Sequence, residues 1–162
     1  MIPLPLSKPE LFAYTPHQGC MLLLDRLEEY SLDRRFLRST VDVTGNSVFF
    51  DRETDLVPIW VAFEYMAQSI GLLAGLNSVE CGGTPEIGFI MGVRNFEANA
   101  AGFAPGDRVD VSVRSVYRDG DAAVFEGRAE VNGNLSASGI VNTIQAGTAL
   151  LVKMKKDSHG DR

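Results

Sequence analysis

An α+β fold, an antiparallel sheet of about five to six strands curled around one long buried helix, follows from three observations. The stretch VPIWVAFEYMAQSIGLLAG, residues 57–75, is apolar nearly all round, as a helix enclosed on most sides must be. Residues 107–144 alternate apolar and polar side chains with the period of two that marks half-buried strands. Turn signals cut that region into a meander. A sheet with one apolar face and one wet face is covered economically by a single helix.

The helix is expected to open at Pro58, since proline is tolerated in a first turn, and to run to Leu76. Glu64, Gln68, Gly71 and Gly75 fall at i, i+4, i+7 and i+11, on one face that is polar at its start and bare beyond. Another backbone is expected to approach that bare part closely. Val109, Val111 and Val113 alternate with Arg108, Asp110 and Ser112 in the first meander strand, and DGD at 119–121 turns it. AVFEGRAEV forms the second, and the Asn132-Gly133 pair suits the positive φ angles of a type I′ hairpin. Residues 135–144 form the third. Earlier strands are expected at 21–27, 36–43 and 86–93. Residues 1–152 read as one domain and 153–162 as a polar, frayed tail.

Composition narrows the function. A net charge of −6 lacks the basic footprint that nucleic acid demands. Two cysteines, Cys20 and Cys81, build no disulfide framework. The opening MIPLPLSKPELF has neither the basic start nor the continuous apolar run of a signal peptide. The apolar stretch approaches membrane-span length, but Glu64, Gln68 and Ser69 at its centre favour a core helix. The expectation is a soluble, cytoplasmic protein. No metal cluster, nucleotide loop or catalytic serine set is visible, and no cofactor is expected.

Four segments in order resemble the 3-hydroxyacyl-[acyl-carrier-protein] dehydratases of the hotdog fold. PHQGCMLLLDRL (16–27) looks like that family's Pro-His…Leu-Leu-Asp-Arg segment, and VPIWVAFEYMAQ like its Pro-Gly-Val…Glu-Ala-Met-Ala-Gln helix. GFIMGVRNFE (88–97) looks like its Phe-Met-Gly-Ile-Arg-Asn strand, and APGDRVDVSV (104–113) like its Pro-Gly-Asp strand entry. The helix motif looks closer still to the divergent branch associated with aryl-polyene lipid synthesis.

The resemblance implies a dimer whose sheets pair edge to edge, with active sites at the interface. It implies syn-elimination of water from a 3-hydroxyacyl thioester borne on the phosphopantetheine of acyl carrier protein or of coenzyme A. A histidine takes the α-proton, a helix carboxyl serves the departing hydroxyl, and backbone N–H groups polarise the carbonyl. Glu64 matches the carboxyl, with Gln68 one turn on as its orienting partner. The residues themselves also allow a buried Glu64 that is merely satisfied by Gln68. Phe89 and Met91 are the candidates for lining the acyl tunnel, with plain core packing the alternative.

One departure stands out. The family's Gly-His-Phe-Pro histidine lies fourteen residues before the glutamate, where this chain has Phe50, and no histidine occurs between His17 and His159. His17 is therefore the candidate base, against a purely structural histidine, and His159 sits in the polar tail. Asp55 is an alternative base nearest the helix, with Asp51 and Glu53 in the same acidic loop. The family's glycine after the helix-opening proline is Ile59 here. Three functions compete: dehydratase, a hotdog thioesterase that uses Glu64 to activate water, and a degenerate subunit supporting an active hotdog partner. Partners are thus acyl carrier protein and a second hotdog subunit, identical or not. Carrier docking would use Arg34, Arg35 and Arg38, or Arg94 with the strand arginines.

Overall fold

A computed structural model describes residues 2–85 and 88–145. Its order is β1 (Leu6–Ser7), α1 (Lys8–Leu11), β2 (Arg26–Ser31), β3 (Phe36–Asp42), β4 (Val57–Pro58), α2 (Val61–Glu80), β5 (Gly88–Ala98), β6 (Gly102–Phe103), β7 (Arg108–Asp119), β8 (Ala122–Val131) and β9 (Asn134–Gln145). Seven strands make one antiparallel sheet in the order β1-β2-β3-β7-β8-β9-β5, and β4 pairs with β6. Six of the seven are long, as expected; the seventh, β1, has two residues. The expected tail at 153–162 lies outside the described residues.

The meander forms as its alternation requires. Val109, Val111 and Val113 are fully buried, with Arg108 and Arg114 exposed on the other face. Asn132 and Gly133 turn β8 into β9 with φ of 51° and 77°, the paired positive angles of a type I′ turn.

Two expectations move. The apolar run from Met21 does not pair into the sheet. Gly19–Met21 is a 3₁₀ turn, and Leu22 and Leu24 enter the core from an extended segment before β2. The helix starts three residues after Pro58, which lies in β4, and reaches Glu80. Ala62 and Phe63 donate their N–H groups to the Ile59 and Trp60 carbonyls in a tight lead-in turn.

α2 packs on β3, β7 and β8. A buried hydroxyl pair, Ser39 with Ser69 at 2.8 Å, ties it to β3, and Ser69 also bonds the Tyr65 carbonyl. The segment from Tyr14 to Leu23 runs back along the helix. A Cβ on Gly75 would overlap the Tyr14 carbonyl oxygen, so the expected close backbone approach occurs there. At Gly71 a Cβ would meet nothing within 4 Å.

The two helix glycines should therefore respond oppositely to alanine. Gly75→Ala should cost about 1–3 kcal/mol through the clash with Tyr14. Gly71→Ala should stabilise by about 0.5–1 kcal/mol, because only helix propensity changes. Denaturant melts of the two variants measure the difference, and equal responses would contradict the packing described.

Candidate active site

Glu64 lies in the first turn of α2. Its Oε1 accepts from Gln68 Nε2 at 2.9 Å. Gln68 is 1% exposed, with both amide donors and its oxygen engaged. Nε2 also donates to the Met21 carbonyl at 2.7 Å, and Oε1 accepts from the Leu23 N–H at 2.8 Å. A backbone carbonyl only accepts and a backbone N–H only donates, so this amide has one orientation. Gln68 therefore aims a donor at Glu64, as the helix spacing predicted.

His17 is half-buried. Its Nδ1 lies 2.9 Å from Thr15 Oγ1, and its backbone N–H donates to the same oxygen at 3.3 Å. Thr15 is 4% exposed and was not singled out from sequence; its position two residues before His17 was the signal available. Contacts at both ends of the segment, Tyr14 against Gly75 and Met21 on Gln68, place His17 beside the turns that follow Glu64.

Both residues line one cavity of about 680 Å³. Its helix wall runs from Glu64 through Ala67, Gly71 and Ala74 to Asn77, and its sheet wall includes Ala123, Phe125 and Phe89. Arg35, Asp33, Arg118 and Asp121 lie around the cavity in the β2–β3 and β7–β8 hairpins.

Met91 does not join this lining. The β5–β9 register shifts between Ile90 and Gly92, so the bulge breaks the alternation; Ile90 lines the cavity and Met91 is 68% exposed. Asp55 also stays outside. It is exposed at φ 55°, in a turn closed by the Asp51–Leu56 bridge and by Asp51 accepting from the Glu53 N–H and the Thr54 hydroxyl. Of the arginines considered for docking, Arg38 is engaged by Glu29 and Asp110 on the outer face of the sheet.

Tyr65, next to Glu64, points away from this cavity toward a second one of about 560 Å³ that also holds Asp25 and Lys8. Burial, then the charge of Asp25, pushes its phenol up to about 12 from the ordinary 10. Among the described residues no group of three or more His, Cys, Asp and Glu is placed to hold a metal, and no helix is long and apolar enough to cross a membrane.

A helix carboxyl held over a cavity inside a curled antiparallel sheet defines the class of hotdog acyl-thioester enzymes. Comparison with known proteins places the chain within that class. A family model for ApeP-like proteins, described as ApeP dehydratase, matches residues 9–153. The 3-hydroxyacyl-[acyl-carrier-protein] dehydratase FabZ of Streptococcus pyogenes serotype M1 is 34% identical over 133 residues, covering 80% of this chain and 91% of that one. FabZ of Streptococcus thermophilus is 34% identical over 127 residues, covering 76% and 86%. Among solved structures, the dehydratase heterocomplex ApeI:P from Xenorhabdus doucetiae superposes with a TM-score of 0.82 at 25% identity, covering 94% of this chain and 98% of that one. A hypothetical thioesterase from Streptococcus pneumoniae, at 15% identity and a TM-score of 0.58 over 75% of this chain and 84% of that one, shares the fold. The chain belongs to the ApeP-like dehydratase family, a family of hydro-lyases.

Gln68→Leu should destabilise the protein by about 2–4 kcal/mol, because the Met21 carbonyl and Leu23 N–H lose their partners inside the protein; chemical denaturation measures it. The phenol of Tyr65 gives a pH dependence. Its folded-state value lies above the unfolded one, so its contribution to stability is complete below pH 10 and is lost as pH rises toward 12. Tyr65→Phe should flatten that part of the alkaline stability curve and remove a tyrosinate absorbance step near pH 12.

Proposed function

We propose that this protein eliminates water from a 3-hydroxyacyl thioester carried on the phosphopantetheine of acyl carrier protein, or on coenzyme A. The setting is cytoplasmic synthesis of fatty acids or aryl-polyene-type lipids. The observation that carries this reading is Glu64, held by Gln68 at the wall of a cavity large enough for an acyl chain. A carboxyl aimed at a leaving hydroxyl serves as general acid, and a locked orientation raises its effectiveness. As the α-proton leaves, Glu64 gives its proton to the β-hydroxyl, water departs, and a double bond forms between Cα and Cβ. The base gains one proton and Glu64 loses one, so transfer of a single proton between them resets the pair.

Among the described residues His17 is the imidazole that lines the cavity, and we assign it the α-proton. Thr15 holds its Nδ1 side, which leaves Nε2 for exchange with substrate. The N–H groups of Ala62 and Phe63 are occupied in the lead-in turn, so the thioester carbonyl is polarised by other donors.

A second reading is favoured by Phe50, which stands where the ordinary family motif has histidine. In it the base comes from another hotdog subunit. Support for such pairing comes from the ApeI:P heterocomplex and from two exposed apolar surfaces. One is the sheet-edge strand β5, with Ile90, Met91 and Val93; the other is the edge-to-face pair Phe49–Trp60 just ahead of α2. Acidic carrier protein would dock through exposed arginines, and rising salt should weaken that docking.

Product mass decides among these. The protein, alone and with a hotdog partner, is given 3-hydroxyacyl carrier substrates. Loss of one water from the acyl chain is expected, and release of free acid would mean a thioesterase. Glu64→Gln should lower kcat by about 100-fold or more. His17→Ala should do the same if His17 is the base, and full activity in that variant would assign the base to the partner.

A further inference from the structure

Gly71 stands at the middle of α2, on the cavity wall, and nothing among the described residues requires a glycine there. A Cβ at this position would meet nothing within 4 Å, whereas at Gly75 it would strike the Tyr14 carbonyl. Glycine inside a helix is unfavourable relative to alanine. The space it keeps open lies within the cavity.

That space has a defined character. Seven residues separate Glu64 from Gly71 and thirteen separate Glu64 from Asn77, so the helix wall extends about 10 Å to the glycine and about 20 Å in all. Between Glu64 and Asn77 the lining residues of the helix are Ala67, Ile70, Gly71, Leu73 and Ala74, with no hydrogen-bonding side chain among them. Across from them stand Ala123, Phe125, Phe89 and Ile90, with Thr143 donating to the Ala123 carbonyl. The polar lining residues Asp33, Arg35, Ser115, Arg118, Asp121 and Gln145 lie toward the hairpin end of the cavity. Along the stretch from Ala67 to Ala74 a pantetheine arm, with two amides, would lose hydrogen bonds to water and regain few. A hydrocarbon chain loses none.

Resting on the dehydratase reading above, we propose that Gly71 sets the acyl-chain length this enzyme accepts, by keeping the bore open beyond the first ~10 Å from Glu64. Short 3-hydroxyacyl groups end before the glycine. Long ones pass over it between Ala67 and Ala74.

The test is a chain-length profile of Gly71→Leu and Gly71→Ala, measured with the hotdog partner present. Substrates run from 3-hydroxybutyryl to 3-hydroxydodecanoyl on the same carrier. For Gly71→Leu the ratio of kcat/KM for the longest over the shortest substrate should fall about ten-fold or more, with Gly71→Ala intermediate. Binding of non-hydrolysable butyryl and dodecanoyl pantetheine amides should show the same change in ratio without turnover. An unchanged ratio overturns the assignment while leaving the dehydratase reading intact. A uniform loss at every length, with loss of partner binding, also overturns it and makes Gly71 a subunit contact. A wild-type protein that binds the amides but dehydrates no substrate sinks the dehydratase reading; its binding ratio in Gly71→Leu still decides the role of the glycine.

Discussion

The buried amide of Gln68 is the joint on which the rest of this site depends. It binds a carboxyl four residues back in its own helix and two backbone groups more than forty residues earlier in the chain. With those backbone groups satisfied, the extended run carrying Leu22 and Leu24 can enter the core without belonging to the sheet. The same joint sets the course of the preceding residues, so that one amide positions both the carboxyl and the strap that bears the imidazole. The geometry of the proposed site and the core packing are thereby made from the same bonds.

The sheet is covered unevenly. α2 rests on β3, β7 and β8, with Met66 close against Gly127, and the buried hydroxyls of Ser39 and Ser69 fix its rotation. Toward β9 and β5 it stands off, and the cavity occupies the difference. The helix thus has two working faces: one dry and closely packed, one smooth and lined by small side chains. An apolar helix with little amphipathic contrast suits such a position, since most of its surface is enclosed.

Much of this was legible in the chain itself. The meander was legible because alternation and Asn-Gly chemistry act between neighbours in sequence. The Glu64–Gln68 contact was legible because a helix brings i and i+4 together. What escaped were pairings between distant segments. Gln68 bonding to Met21 and Leu23 cannot be read locally, and without it the apolar run at 21–24 looks like a strand. Gly71 and Gly75 look alike in sequence; only the course of Tyr14 distinguishes them. Met91 escaped for a different reason, because a one-residue bulge reverses the alternation and leaves no mark in composition. The helix outran its expected end at Leu76 because Asn77 to Glu80 carry on the backbone ladder while their polarity increases, and Glu80 is held by the Tyr30 hydroxyl.

The irregularities of β5 reach beyond the placement of one methionine. This edge strand departs from regular pairing twice, at 90–92 and again at 94–97. A straight, regular edge accepts almost any extended chain, whereas a doubly bent one presents its free N–H and C=O groups along a curve. Only a sheet rim of matching curvature can follow it for more than a few residues. An apolar rim is usually a hazard for fibre-like stacking; bent in this way it resists pairing with a straight one.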